Sequence, residues 1–583
     1  MFTTRPELQG SFGMISSTHW LASAAGMAVL EAGGNAFDAA VAAGLTLQVV
    51  EPHLNGPGGD LSLLFAGPST PPTVLCGQGP APAGATIAHY RALGMELVPG
   101  SGPLAAVVPG ATVAWLTLLR EHGTRTLREV AQYALHYARN GIPVLPQISA
   151  TIGRVAELFR DDWTTSAAQF LPGGDVPAAG SWLRNPTWAA TLERLVTEAE
   201  AASASREQQL EHAVRSWSNG FVADAIDAFC RLSWRDSSGE RNAGVLTGDD
   251  LAGWQPGYER PVTFDFRGWT VCKTGPWGQG PVLLQQLALL DGFDLRPGTG
   301  EFVHTVVECA KLAFADREAW YGDAAEVPVD ALLGVNYTTA RRRLLGERAD
   351  AELRPGSPDG RAPRLPTVAA APDRDDGATA EPTVSRGGVT RGDTCQVSVV
   401  DRWGNLVAAT PSGGWLQSAP VIGALGFPLG TRLQMTWLQD GLPNSLTPGR
   451  RPRTTLSPSL VLRAGDPILA FGTPGGDQQD QWQLTFLLNH IVGGLNLQEA
   501  IDAPTWHSTH FPSSFYPREA FPRQVVVEDR VGADVLADLR RRGHDVVRSA
   551  PWSLGRMCAV GRDGHVLRAA ANPRGMQGYA AGR

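Results

Sequence analysis

Late in this chain the texture changes abruptly, and that change constrains the fold more than any other feature. Across residues 353–392 Pro, Ala, Gly, Asp and Arg dominate, aromatic residues vanish and no periodicity survives, which predicts a flexible linker. Residues 394–400 then alternate as a strand, the stretch DRWGN at 401–405 reads as a turn, and 406–410 alternate again. The linker thus runs straight into a β-hairpin and divides the chain into residues 1–393 and 394–583, with Gly392-Asp393-Thr394 at the junction. A loose segment feeding the first residue of a strand is the arrangement self-cleavage needs, because the Thr394 hydroxyl can attack the preceding peptide carbon once that bond is strained. Cleavage would leave Thr394 with a free α-amine, which titrates near pH ~8 and can act as base for its own hydroxyl. Taken alone this signal is weak, since a Thr opening a strand after a loop is commonly just a β-former.

The rest of the chain supplies layers for such a hairpin. Residues 19–50 are small and apolar almost throughout, with Gly33-Gly34-Asn35 in the middle, which predicts two buried helices joined by a tight turn. A glycine-rich loop, EPHLNGPGGD at 51–60, and a strand at 62–66 follow. Helical patterns broken by Pro and Gly fill 104–230, 261–273 alternates as one strand, and 301–320 returns to a long helix. A second hairpin, 459–462 and 468–473, leads into Pro474-Gly475-Gly476. Helices near 479–491 and 531–542 and strands near 524–527 and 545–547 complete a mixture that predicts an α+β fold of sheets covered by helices.

Composition narrows the function. With 583 residues, 43% apolar and 18% charged, the chain can bury more than one core region. A net charge of -8 without a basic stripe argues against nucleic acid or an anionic membrane as partner. Six scattered cysteines without a CxxC pair predict reduced thiols. Residues 1–13 lack an apolar core and no run of spanning length follows, so a cytoplasmic location is expected. His507 and His510 form an HxxH pair, but no third ligand lies nearby, and no metal site or organic cofactor is expected.

Several blocks in order along nearly the whole chain resemble the gamma-glutamyltransferase family of N-terminal-nucleophile hydrolases. They are LASAAGMAVLEAGGNAFDAAVAA, VEPHLNGPGGD, ECAKLAFADREAWYGD, GDTCQVSVVDRWGNLV, PGRRPRTTLSPSLVL, FGTPGGD and NLQEAIDAP. The resemblance implies a four-layer αββα sandwich built jointly by a large chain, 1–393, and a small chain, 394–583, in a precursor that cuts itself before Thr394. It implies that Thr394 is the nucleophile, that Gly475 and Gly476 form an oxyanion hole, and that the Ser412 hydroxyl bonds the nucleophile. Thr454 and Thr455 fall where the family has a serine pair near the substrate carboxylate. Three positions depart from the glutamyl pattern: Gln78 replaces the Arg that clamps the α-carboxylate, Trp437 replaces the Asp that binds the α-amine, and Gly414 stands near a substrate-binding Asn. Charge-assisted hydrogen bonds to a carboxylate contribute about 1.5 to 3 kcal/mol, so recognition of free γ-glutamyl compounds should be weakened. The expected activity is cleavage, or acyl transfer, of a small-molecule γ-glutamyl or related acyl amide. The alternatives are a cephalosporin-acylase-like enzyme for a non-glutamyl acyl group and an unprocessed scaffold protein. A homo-oligomer of two-chain units is compatible with the processed enzyme.

Overall fold

Strands whose apolar residues point to both sides need a cover on both faces, and this requirement sets the architecture. In Val397–Asp401, Val397 and Val399 join one buried cluster while Val400 joins another; in Leu406–Ser412, Val407 and Ala409 point one way and Leu406 and Ala408 the other. The computed structural model describes residues 3–324, 326–367 and 394–583. It shows two seven-stranded sheets. The first runs Tyr579–Gly582, Gly13–Ser17, Val397–Asp401, Leu406–Ser412, Asp60–Gly67, Thr70–Gly77, Gly257–Glu259. The second runs Leu8–Gly10, Val566–Ala571, Cys558–Asp563, Asp466–Gly472, Ser459–Arg463, Trp269–Lys273, Val262–Phe266. Neighbours in both sheets pair antiparallel.

The sheets face each other across a core of Met14, Leu64, Val400, Leu406 and Ala408 from the first and Leu460, Ala470, Val560 and Ala569 from the second. Helices cover both outer faces. Trp20–Glu31 and Ala36–Val50 lie on the first sheet, where Ala39 and Ala43 allow close approach to Ile15 and Val397. Pro281–Leu290, Gly300–Trp320 and Gln479–Ile491 lie on the second, packing Leu283, Phe314 and Leu484 with Val271, Val461 and Leu469. The αββα sandwich is therefore formed, and both sheets take strands from either side of residues 368–393.

Local signals placed many of these elements. Asn35 caps the second helix in a reciprocal box with Asp38, as the turn before it predicts. Two readings change. Residues 261–273 form a hairpin, Val262–Phe266 and Trp269–Lys273, because Arg267 and Gly268 both take positive φ and reverse the chain. The linker reading fails for its first part: Gly356 N donates to the buried Asp316 carboxylate at 2.6 Å and Pro358 is buried. The remainder, 368–393, including the Asp393 side of the junction, lies outside the described residues.

Candidate active site

Thr394 enters the first sheet through a bridge to Ser412, and Cys395 N continues it by donating to Pro411 O at 2.9 Å. The two hydroxyls, Thr394 Oγ1 and Ser412 Oγ, lie 3.1 Å apart and both residues are buried. Ser412 in turn pairs with Asp60, and Leu61 with Gly77, so Gln78 stands at the same end of the sheet two strands further on. The loop 51–60 wraps this end at backbone contact: a Cβ on Gly56 would sit 2.3 Å from Gly414 O, and one on Gly59 2.1 Å from Ser412 O. Arg432 Nε locks the loop by reaching both Asp60 oxygens, at 3.1 and 2.8 Å.

Cys395, the neighbour of Thr394, is the rival nucleophile. Its Sγ donates to Glu51 Oε2 at 2.9 Å, beside Thr18 Oγ1 at 2.7 Å, while the Gln577 amide serves the other oxygen. Burial and the Glu51 charge push this thiol well above its ordinary range, so it stays protonated and inert. Thr394, at the head of this strand, keeps its hydroxyl 3.1 Å from that of Ser412.

The second sheet brings the glycine pair to the same end. Gly472 presses on the Gln396 side chain, where a Cβ would sit 2.3 Å from Oε1, and the chain then turns through Thr473 to Asp477. Gly475 has φ +120°. Its carbonyl is taken by the Gln479 side chain, and Gly476 O accepts from Gln479 N at 3.1 Å and Gln279 Nε2 at 3.2 Å. Among the described residues no acceptor takes the N–H of either glycine. Two backbone donors with their carbonyls tied down elsewhere are what a developing oxyanion needs.

Gln279 ties this turn to the threonine pair, since its N donates to Thr454 O at 2.9 Å and Thr454 N to Trp277 O at 3.1 Å. Thr454 Oγ1 accepts from Leu456 N at 3.3 Å, whereas Thr455 Oγ1 is buried without a partner. Beneath them Arg317 Nη1 donates to Gln279 Oε1 at 3.1 Å, pairs with Asp477, and shares Glu318 with Arg453 at 2.7 and 2.6 Å. Burial opposes ionisation of Asp477, but Arg317 and the Ser514 hydrogen bonds outweigh it and hold the carboxyl below its usual range. Lys273 and Asp480, 2.9 Å apart and fully buried, are pulled down and up respectively, burial being the largest cause for each.

The substrate positions inferred from sequence separate into groups. Gly414 lies against the 51–60 loop, and Thr454 and Thr455 join the glycine pair through Gln279. Trp437 N donates to Asn444 O at 3.0 Å and Asn444 Oδ1 accepts from Arg453 N at 3.0 Å, so Trp437 is fastened beside Thr454. Gln78 is buried, its Nε2 donating to Gly79 O at 3.1 Å and its Oε1 unpartnered. His510 is satisfied by Glu352 O and Arg523 N, but neither ring nitrogen of His507 has a partner. Gln279, Arg317, Asp477 and Arg453 were missed as site residues, although Arg317, Asp477 and Arg453 sit in blocks that resemble the family and Gln279 in a glycine-rich turn, GPWGQG at 275–280. His304, Glu308 and His544 cluster closely enough to hold a cation, and Lys311 Nζ donates to one of the Glu308 oxygens, Oε1, at 2.6 Å. Among the described residues no helix is long and apolar enough to cross a membrane.

Comparison with known proteins agrees with this geometry. The gamma-glutamyltranspeptidase family model matches residues 22–582. The solved protein LmbA2991HD is 59% identical with TM-score 0.95, each chain covered over 100%. Cephalosporin acylase from Bacillus halodurans is 29% identical with TM-score 0.83, covering 100% of this chain and 97% of its own. The glutathione hydrolase-like YwrD proenzyme of Bacillus subtilis is 29% identical over 97% of this chain and 98% of its own. This chain belongs to the gamma-glutamyltranspeptidase family and is an enzyme of amide-bond hydrolysis or transfer.

Proposed function

We propose that the chain is an autoprocessing N-terminal threonine amidohydrolase acting on an acyl amide other than a free γ-glutamyl compound. The observation that carries this reading is the buried 3.1 Å contact of the Thr394 and Ser412 hydroxyls at the head of a strand. Once the peptide before Thr394 is broken, the α-amine accepts the hydroxyl proton and Oγ1 attacks the amide carbon. Ser412 orients the hydroxyl, and the N–H groups of Gly475 and Gly476 hold the oxyanion. The α-ammonium then protonates the leaving amine, and water, activated by the same amine, releases the acid. A neutral Gln78 and an aromatic Trp437 at the glutamyl positions support a non-glutamyl acyl group, as does the likeness to a cephalosporin acylase.

Denaturing electrophoresis with mass spectrometry tests the first step: wild type should give two fragments joined at 393 and 394, and Thr394→Ala a single chain. A panel of γ-glutamyl, glutaryl and simple acyl anilides tests the second. An intact junction in active protein refutes the mechanism, and preference for γ-glutamyl refutes the acyl assignment.

A further inference from the structure

A groove of about 610 Å³ lies between residues 93–99, the 238–242 turn and the loop 516–518, with Trp437 in its wall and Arg518 at its base. Arg518 is 1% exposed, and its guanidinium stacks 4.2 Å from the Trp437 ring centroid. Nη2 donates to Gln434 O and Thr436 O at 2.8 Å, and Nη1 to Ser513 O at 3.3 Å. All three acceptors are neutral carbonyls, Nε has no partner, and among the described residues no carboxylate reaches ion-pair distance. Behind it Arg317 and Arg453 share Glu318, and Arg317 also holds Asp477. Three buried guanidinium groups therefore face two carboxylates, and Arg518 is the surplus cation. Burial lowers its pKa to about 9, which still leaves it charged at neutral pH. A buried charge without a counter-ion is costly, and the residue also holds a φ of +71° that a side chain disfavours. Such a combination persists where a ligand supplies the missing anion.

Two chains of bonds join this groove to the nucleophile's end of the sheets. Trp437 is fastened through Asn444 to Arg453 and hence Thr454, and Ser514, four residues before Arg518, donates from N and Oγ to Asp477 at 2.8 and 2.6 Å, next to Gly476. Glu96 and Glu240 also line the groove, but both are exposed and water screens them; Arg241 on the same rim is spent on Asp162 at 2.6 Å.

We propose that Arg518 is the specificity-determining residue of this site: it binds a carboxylate carried by the substrate, on either the acyl or the amine part, while the Trp437 face packs the hydrocarbon beside it. The assignment rests on the amidohydrolase reading above. It makes the site electrostatically opposite to a glutamyl site at this point, since the residue that the family uses for an ammonium is here a Trp under an Arg. An acid lacking that ammonium is the matching ligand.

The test uses processed enzyme and two arms. Glutaryl against pentanoyl p-nitroanilide varies charge on the acyl part; hexanoyl 4-aminobenzoate against hexanoyl anilide varies it on the amine part. In one arm the acid should exceed its neutral partner by roughly 10- to 100-fold in kcat/KM, the range of a charge-assisted hydrogen bond. Arg518→Gln should collapse that ratio, and Arg518→Lys should keep part of it. A wild-type ratio near one in both arms, or a ratio that survives Arg518→Gln, overturns the proposal. Should Arg518→Gln fail to fold, the wild-type ratios decide, together with thermal shift by glutarate against pentanamide. That shift also separates the two readings: no turnover in either arm defeats the amidohydrolase, whereas equal shifts by glutarate and pentanamide defeat the role of Arg518.

Discussion

Gly475→Ala tests the oxyanion assignment with a magnitude that the structure supplies. At φ +120° a side chain meets its own backbone, a strain of about 1–3 kcal/mol. The new Cβ would also sit 2.6 Å from Trp482 Cζ3. That ring is 2% exposed and packed with Val526 and Leu554, so it cannot swing away, and overpacking adds about 1–3 kcal/mol. The turn will relieve part of this by shifting, and the shift moves the N–H groups of residues 475 and 476. Loss of one oxyanion donor typically lowers kcat by about 10²–10³-fold. The control is Gly465→Ala in the turn of the hairpin Ser459–Arg463 and Asp466–Gly472, with φ +89° and nothing within 4 Å of a new Cβ. It carries the backbone strain alone, at the far end of the same strand. Urea unfolding and anilide kinetics on both variants should show stability lost in each, but kcat lost only for Gly475→Ala, with KM little changed. If Gly475→Ala keeps the kcat of Gly465→Ala, these N–H groups do not hold the oxyanion.

Ser412→Ala removes a hydrogen-bond partner of Thr394 Oγ1 and should lower kcat by roughly tenfold, about one buried hydrogen bond, and slow the appearance of the two fragments on a gel by a similar factor. Lys273→Met strands Asp480 in the core and should cost about 3–5 kcal/mol in urea, whereas Lys273→Met with Asp480→Leu should recover most of it. Burial holds His507 near pKa 3 against an ordinary 6.5. Its unfolded form therefore gains a proton that the folded form refuses, so its contribution is complete above pH 6.5 and is lost as pH falls toward 3. His507→Phe should flatten the decline of melting temperature between pH 7 and pH 5, and an unchanged slope would rule out a neutral buried imidazole.

Features carried by local pattern were legible in the sequence. The alternation at residues 394–400 and 406–410 announced a strand pair, and Gly33-Gly34-Asn35 announced a helix start. Pairings between distant charges left no such mark. Arg317, Glu318, Arg453 and Asp477 meet in one buried cluster from positions as much as 160 residues apart, and periodicity reports that a residue is buried without naming its partner. The same blindness hid Arg518, whose loop has neither helical nor strand period and whose importance lies in the anion it lacks. The continuous strand expected at 261–273 failed for a local reason, because Arg267 at φ 51° is a turn residue that composition does not flag.

Interleaving of the two segments bears directly on the proposed cleavage before Thr394. Val397–Asp401 lies between Gly13–Ser17 and Leu406–Ser412, and the next neighbour is Asp60–Gly67, so the sheet around Thr394 cannot close until residues from both sides of the junction are in place. In the proposed mechanism folding therefore precedes cleavage. The fixed part is Thr394, its hydroxyl held against Ser412 inside a sheet whose faces are both buried, and the bond proposed to break joins its backbone N to the carbonyl carbon of residue 393. Strain placed on the bond cannot be relaxed by moving Thr394, because moving it would break the bridge to Ser412 and the Cys395–Pro411 hydrogen bond. The contacts that would orient Oγ1 toward a substrate amide are thus the same ones that would orient it toward its own peptide carbon. A single set of hydrogen bonds can therefore serve both proposed reactions.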